Sequence, residues 1–421
     1  MTDFHALIDS YRDCACGQTH ECAVRDIQIG SGLAASVGEI LKKNGFGPRL
    51  LLAADEQTLA AAEGIEASLS GFAVVRHIWP SIRVATMQDV EKIEHCFDRV
   101  DGVLAVGTGS VHDPCRLACA RHGVPLCLFA TAPSMDGFAS YSAPIVNGNF
   151  KITYPAKCPE VIIGDTKILA SAPAALKSAG FGDMISKYIA LIDWQVSHLL
   201  TGEAYCERVA ALTRQATDQI FAMAASVTKR DEKTAAAIFE SLLLTGVAMS
   251  FTKTSRPGSG TEHIMAHFWE CMELLDGKTP NYHGEDVGVT TLLILRYYEK
   301  LARLPQVKAH PEICNWDEIY RIYGPLAPDV QKLNTPDTIT DGIDPGRIER
   351  CWPEIRRIVQ SVPSYADCLA AMRMAGCKTT IEEVGKDPDF VDISFRFHPY
   401  MRRRLSLKRV SHMLELPDDI F

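Results

Sequence analysis

Between residues 48 and 134, short apolar runs alternate with amphipathic stretches. "PRLLLAAD", "FAVVRHIW", "GVLAVGTGS" and "PLCLFATAPS" read as strands, while "EQTLAAAEGIEASLSG", "MQDVEKIEHCFDRV" and "VHDPCRLACARHG" read as helices between them. Strands that are apolar on both faces and separated by helices predict βαβ units and a parallel sheet covered on both sides. After about residue 170 the character changes. "GFGDMISKYIALIDWQVSHLL", "ERVAALTRQATDQIFAMAASV", "EKTAAAIFESLLLTGVAMSF" and "GVTTLLILRYYEKLARL" carry apolar residues at helical spacing, and strand candidates largely vanish. The pattern predicts an α/β half of nucleotide-binding type over residues 1–170 and an all-α half over 171–421, with a last helical part from about 345 to 415. "KAHPEICNWDEIYRIYGPLAPDV" reads as a Pro-punctuated connection.

A chain of 421 residues exceeds one ordinary domain, and 47% hydrophobic with 23% charged residues suits a globular protein. The opening "MTDFHALIDSYRDC" has neither a basic nor an apolar leader region, and no run approaches the roughly 18 apolar residues of a membrane span. The expectation is a cytoplasmic protein without a membrane partner. Fourteen cysteines then read as reduced thiols packed as small hydrophobes. In "DCACGQTHEC", Cys14, Cys16, His20 and Cys22 offer a structural zinc site, but CxC is not a usual finger spacing, and a hairpin with small buried thiols is the preferred reading. A net charge of −9 argues against nucleic acid as a partner. The basic run "MRRRLSLKR" reads as a solvated helix face. An anionic small molecule stays open, because a few local Arg or Lys residues suffice for one.

"AVGTGSVHD" ends an apolar strand with Gly107 and Gly109 and leads into a helix. Such a turn lets backbone N–H groups approach a pyrophosphate, although a tight structural turn explains it equally. Asp55 closes the strand "PRLLLAAD", where it can accept from an adenosine ribose, favouring NAD over NADP, or cap the next helix. "TAPSMDGFAS" is a polar loop at the carboxyl end of a strand, where α/β sheets place ligands. Further along, Asp183 in "GFGDM", the pair His263 and His267, and His283 in "YHGEDVG" supply one carboxylate and imidazoles. With an open position, such a set suits zinc, or equally iron or nickel. A zincin peptidase is excluded, since Ile264 stands where its Glu would follow the first His.

Five ordered motifs, "GTGSVHD", "TAPSMDGFAS", "GFGDMISKY", "SRPGSGTEHIMAHFWE" and "YHGEDVG", resemble the glycerol-1-phosphate dehydrogenase family. That family lies in the superfamily of iron-containing alcohol dehydrogenases, glycerol dehydrogenase and dehydroquinate synthase. The resemblance implies a Rossmann-like N-terminal domain, a helical C-terminal domain, a dehydroquinate synthase-like fold and a site in the cleft between them. It implies Asp183, His263 and His283 as metal ligands, with Asp183 and His267 catalytic and also touching substrate, and Asp136 as a substrate contact. For NAD(H) or NADP(H) it implies Gly109, Ser110, Val111, His112 and Asp113, then Thr131, Ala132, Pro133, Ser134 and Ser140, beside the Gly107 and Asp55 already noted. One divalent metal is expected, zinc first, with nickel or iron as alternatives.

The implied reaction is hydride transfer between NAD(P)H and dihydroxyacetone phosphate, giving sn-glycerol 1-phosphate, in a homodimer. Lys187 and Arg256 are candidate contacts for the substrate phosphate, against the alternative that each makes a salt bridge. His267, one turn from a ligand, is placed to relay a proton with a pKa suited to neutral pH. A sugar phosphate cyclase, a glycerol dehydrogenase and a catalytically silent nucleotide-binding protein are the competing readings. Net cofactor turnover, phosphate dependence and metal dependence separate them.

Overall fold

The computed structural model describes residues 2–417 and 420. Among these, eight strands form: β1 (Asp26–Gly30), β2 (Arg49–Asp55), β3 (Ala73–Trp79), β4 (Gly102–Gly107), β5 (Leu126–Ala130), β6 (Ser142–Asn147), β7 (Phe150–Pro155) and β8 (Val161–Asp165). Six make one all-parallel sheet in the order β1-β8-β5-β4-β2-β3. β4, β5 and β8 are buried along their whole length, as their uninterrupted apolar runs require. After β3 the chain returns to the other side of β2, so the strand order reverses between β2 and β4. The carboxyl ends of those two strands border a topological switch point, the place where such sheets bind ligands. β6 and β7 form a separate hairpin, turned by Gly148 and Asn149 at φ 57° and 65°.

The second half is helical as expected, with Ala174–Ile185, Lys187–Thr201, Glu207–Ala222, Glu232–Thr252, Thr261–Leu275 and His283–Arg303 forming its body. Helix Glu232–Thr252 is long and apolar enough to cross a membrane by length and composition, but 89% of its apolar window is buried inside the molecule. It is the core helix of this half. Asp193 ties distant segments together, accepting from the Thr261 N–H at 2.8 Å, the Leu407 N–H at 2.9 Å and the Tyr298 hydroxyl at 2.6 Å. One carboxylate thus fixes the start of the histidine-bearing helix and the C-terminal basic segment.

Several expectations change. The expected single helix over 56–71 splits into Glu56–Ala61 and Ile65–Ser68, because Gly64 turns left-handed at φ 90° between them. The segment read as a connection holds helices Trp316–Tyr323 and Ala327–Asn334. Residues near the N-terminus do not belong to the sheet half by packing: Phe4, Ile8, Tyr11 and Val24 join the core shared with the helical half. "DCACGQTHEC" forms no hairpin, and Cys16 is exposed. Finally, "MRRRLSLKR" is no solvated helix face, since Lys408 and Arg409 are wholly buried and only a four-residue helix, Leu407–Val410, forms there.

Arg409 is held by Glu312, whose Oε2 accepts from the Arg409 Nε–H at 2.9 Å, while Oε1 faces the Tyr400 hydroxyl at 3.1 Å and His412 Nδ1 at 3.3 Å. Burial pushes the Glu312 pKa up, but the His412 hydrogen bond and the Arg409 charge outweigh it and hold the group down at about 2. Glu312→Gln leaves the buried guanidinium without its counter-charge and is expected to lower unfolding free energy at neutral pH by about 3 kcal/mol. A depressed carboxylate contributes fully above its unfolded value of about 4.3 and loses that contribution as pH falls toward its folded value. Denaturant unfolding across pH should therefore show a gap between wild type and variant that is full near neutrality and closes progressively below about pH 4.3.

Candidate active site

A cavity opens beyond the carboxyl edge of the sheet, lined from one side by Gly109, Ser110, Asp113, Asp136 and Ser140 and from the other by His263, His267 and His283. Helix Gly109–His122 begins at its rim, and its N-cap, Thr108, makes no side-chain cap bond, so the first backbone N–H groups are not taken by a cap. The two glycines of the turn do different work. A Cβ on Gly107 would lie 2.9 Å from Val111 Cγ2, so this residue lets the helix pack on the strand. A Cβ on Gly109 would meet nothing nearer than 3.7 Å, so this position is open to the cavity. Burial raises the pKa of Asp113, one turn into the same helix, to about 6.

At the cavity floor, donor atoms of Asp183, His263 and His283 lie within 4.8 Å of one another. Asp183 Oδ1 is 3.3 Å from His263 Nε2, and its Oδ2 accepts the Asp136 N–H at 2.9 Å. His263 Nδ1 lies 2.8 Å from Glu262 Oε1. A carboxylate can only accept, so Nδ1 holds its proton toward Glu262, and Nε2, facing Asp183, is the nitrogen that would give up its proton to a cation. These three side chains therefore fit one divalent ion, with room for further ligands. His267, Glu270 and His283 form an overlapping set, but Glu270 is engaged by the Lys151 ammonium at 2.7 Å, which weakens it as a ligand.

Lys187 is enclosed with them. Its Nζ contacts Asp183 Oδ1 and Asp136 Oδ2, both at 2.7 Å, and Ser186 Oγ at 3.3 Å. Three N–H protons meet three acceptors, and the side chain is wholly buried. Burial pushes the Asp183 pKa up, but the Lys187 charge and the His263 hydrogen bond outweigh it and leave it well below the usual range. Burial, then the Asp183 charge, raises that of Asp136. For His267 and His283, burial and next the Lys151 charge push the pKa well below the ordinary value.

The expected residues thus divide. Gly109, Ser110, Asp113, Asp136, Ser140, His263, His267 and His283 meet at one cavity, with Asp183 beneath it. Lys187 lies below the floor with its donors spent on carboxylates, which corrects its assignment to the substrate phosphate. Arg256 is likewise turned away: its guanidinium is buried against Glu203, with further bonds to Leu405 O at 2.8 Å and Ser197 Oγ at 3.1 Å. The alternative salt-bridge reading holds for both.

Asp55 caps helix Glu56–Ala61, accepting the Thr58 N–H at 2.7 Å, so its N-cap reading is the one realised. His112 points into the core against Phe138, fully buried and lowered to about 3 by burial, and Val111 packs on Gly107; neither side chain reaches the cavity. Thr131, Ala132, Pro133 and Ser134 are not among the lining side chains; Thr131 joins the glycine turn through its N–H to Gly107 O at 3.0 Å. His267 was expected to titrate near neutrality, and its enclosure with Lys151 and Arg402 makes it a neutral imidazole instead.

Sequence reasoning missed Glu262, Lys151, Arg402 and Arg404. Glu262 stands beside His263 in the "EH" pair, a detectable signal for a carboxylate that orients a ligand. Arg402 and Arg404 line a second cavity that shares His267, Ser142, Thr153, Ser255 and Ser259 with the first. Arg402 Nη2 donates to Lys151 O at 2.6 Å and lies 3.5 Å from His267 Nδ1. Arg404 donates to Ser259 O at 2.6 Å and Ser255 Oγ at 2.7 Å.

Glu262→Ala removes the acceptor that fixes the His263 ring and is expected to weaken divalent-metal affinity about 10- to 100-fold. Competition with a chromogenic chelator measures this, and an unchanged affinity in a folded variant would refute the orienting role.

The model for iron-containing alcohol dehydrogenases matches residues 28–173. Glycerol-1-phosphate dehydrogenase [NAD(P)+] from Halalkalibacterium halodurans is 34% identical over 300 residues, covering 69% of this chain and 75% of that one. The enzyme of that name from Geobacillus stearothermophilus is 28% identical over 424 residues, 99% of this chain and 98% of its own. Among solved structures, NADH-dependent butanol dehydrogenase A from Thermotoga maritima shares the fold with a TM-score of 0.60 at 16% identity, covering 95% of this chain and 96% of that one. A probable glycerol dehydrogenase from Sinorhizobium meliloti does so with a TM-score of 0.57 at 17% identity, over 80% and 98%. The chain belongs to the glycerol-1-phosphate dehydrogenase [NAD(P)+] family, a branch of the iron-containing alcohol dehydrogenases, and is an NAD(P)-dependent dehydrogenase.

Proposed function

We propose that the cavity interconverts dihydroxyacetone phosphate and sn-glycerol 1-phosphate by hydride transfer with NAD(P)H. The observation that carries this reading is the convergence, on His267, of the Asp183, His263 and His283 set with a second cavity rich in cations. A divalent metal held by the three side chains supplies Lewis acidity toward the substrate oxygens; zinc is the first choice for this nitrogen and oxygen donor set, with nickel and iron as alternatives. The helix N-terminus at Gly109 and Ser110 holds the cofactor pyrophosphate. Asp136 stays fixed by Lys187 at the cavity floor, where it holds a substrate hydroxyl.

Because the Arg402 guanidinium can only donate, His267 Nδ1 faces it as an acceptor, and Nε2 carries the ring proton. The neutral imidazole then hydrogen-bonds the reacting oxygen from Nε2. Arg402 and Arg404 take the substrate phosphate, the role that Lys187 and Arg256 cannot fill. Each guanidinium has five N–H donors, more than the bonds just described use. Lys253 adds charge to the second cavity, whose other lining lysine, Lys332, pairs with Asp329 at 3.4 Å. The reading includes a division near residue 170, a cytoplasmic homodimer and no nucleic-acid or membrane partner.

Oxidation of NADH and NADPH with dihydroxyacetone phosphate, by metal-stripped protein and the same protein resupplied with zinc, nickel or iron, tests the reading. Metal-dependent oxidation is the expected outcome and ranks both metal and cofactor. If no metal restores it and phosphate is released from a sugar phosphate instead, the chain is a cyclase. For the phosphate subsite, Arg402→Ala and Arg404→Ala are each expected to raise KM for dihydroxyacetone phosphate by about 10- to 100-fold, the loss of a charge-assisted bond, while KM for NAD(P)H stays unchanged. An unaltered substrate KM in both variants would remove the assignment.

A further inference from the structure

We propose that Cys14, Cys16, His20 and Cys206 bind a structural zinc ion that fastens the N-terminal segment to the helical half. Their four donor atoms lie within 4.8 Å of one another. Cys14 Sγ is 3.6 Å from Cys206 Sγ, and His20 Nε2 is 3.2 Å from both Cys16 Sγ and Cys206 Sγ. Tetrahedral zinc, with Zn–S near 2.3 Å and Zn–N near 2.0 Å, separates neighbouring donors by about 3.5 to 3.8 Å. These three separations are within a few tenths of an ångström of that spacing, and the other three pairs stay within 4.8 Å.

The histidine gives a second, independent indication. His20 is wholly buried, and its Nδ1 lies 3.0 Å from the Phe251 carbonyl, which can only accept. Nδ1 therefore carries the proton, and the lone pair of Nε2 points at the sulfurs. That is the tautomer and the outer hydrogen bond a zinc-binding imidazole uses.

The local chain is shaped to chelate. Gly17, at φ 78°, turns the backbone and donates its N–H to Cys14 O at 3.1 Å, which brings Cys14, Cys16 and His20 to one side. Cys206 is the N-cap residue of helix Glu207–Ala222, so the fourth donor comes from a rigid element of the helical half. Cys22, which stands in the same sequence cluster, is elsewhere, 3.8 Å from Cys158. The irregular CxC spacing thus reflects a fourth ligand 192 residues from Cys14. Three thiolates and one imidazole close the coordination shell, leaving no open position, so the ion is structural rather than catalytic.

Cobalt substitution of the full-length protein distinguishes this site from the active centre. Sulfur ligands to tetrahedral Co(II) give a near-ultraviolet charge-transfer band, which Asp183, His263 and His283, having no sulfur, cannot produce. Wild type is expected to show that band and to bind one zinc equivalent more than Cys16→Ser or His20→Gln. The variants are expected to lose the band, melt several degrees lower and keep NAD(P)H-oxidising turnover once the active centre is loaded. Thiol titration of wild type should find Cys14, Cys16 and Cys206 protected until a chelator is added. A cobalt protein without the band, zinc content unchanged in both variants, or a Cys14–Cys206 disulfide in protein kept reduced would overturn the proposal.

Discussion

Three contacts between backbones hold the active site together. A Cβ on Gly182 would stand 2.4 Å from Gly284 O, one on Gly284 would stand 1.9 Å from Ala179 O, and one on Gly180 would stand 2.0 Å from Pro133 O. No side chain larger than hydrogen fits at these points unless the segments separate. Helices Ala174–Ile185 and His283–Arg303 therefore cross with main chains in contact, which brings Asp183 beside His283. The same packing presses the loop after β5 onto the first helix, so that the Asp136 N–H reaches Asp183. The glycines flanking the ligands in "GFGDM" and "YHGEDVG" are part of the metal geometry, although none of them touches a ligand atom.

That closeness creates an electrostatic problem whose solution shapes the cavity. Asp183 and Glu262 are buried and Asp136 is largely enclosed; one ammonium, Lys187, pairs with Asp136 and Asp183, Glu262 holds the His263 ring, and burial and Lys151 keep the imidazoles of His267 and His283 neutral. The floor is therefore rich in carboxylate oxygens and suits a dication. The other side is the reverse: Arg402 and Arg404 line the second cavity, which shares His267 with the first. On the proposed function, a substrate with a polar carbon end and a phosphate end would be oriented by this gradient, its oxygens toward the floor and its phosphate toward the arginine rim. His267 sits at the boundary, lining both cavities, which explains why it lies one turn from a ligand without belonging to the same set.

Local pattern made four of the sheet's six strands, β2 to β5, legible, while β1 and β8 lie outside the stretch it read. Strands β2, β4 and β5 carry apolar runs that their covered faces require, while the edge strand β3, half-exposed, is broken by Arg76 and His77. β6 and β7 escaped notice because they pack as a half-exposed hairpin with mixed polarity; the turn at Gly148 and Asn149 was the available signal. The candidate ligands Asp183, His263 and His283 were readable because each lies within a motif that the family resemblance carries. Exclusion of Lys187 and Arg256 from the phosphate was not. One turn of a helix places a side chain near a cleft, and only the neighbouring helices decide whether it points in or is captured by Glu203, as Arg256 is, or by Asp136 and Asp183, as Lys187 is.

The basic run "MRRRLSLKR" shows the same limit from the other direction. Charge density alone reads as solvent-facing, yet here each cation has a partner or a site supplied from far away in sequence. Arg409 meets Glu312, the backbone of Leu407 meets Asp193, and Arg402 meets the backbone of Lys151. A segment near the C-terminus thus completes a cavity founded by residues of the sheet half, because Asp193 anchors both that segment and the helix carrying His263 and His267. Moving Asp193 would therefore shift the two ends of the substrate site together, the histidine floor and the arginine rim, which no spacing within either motif discloses.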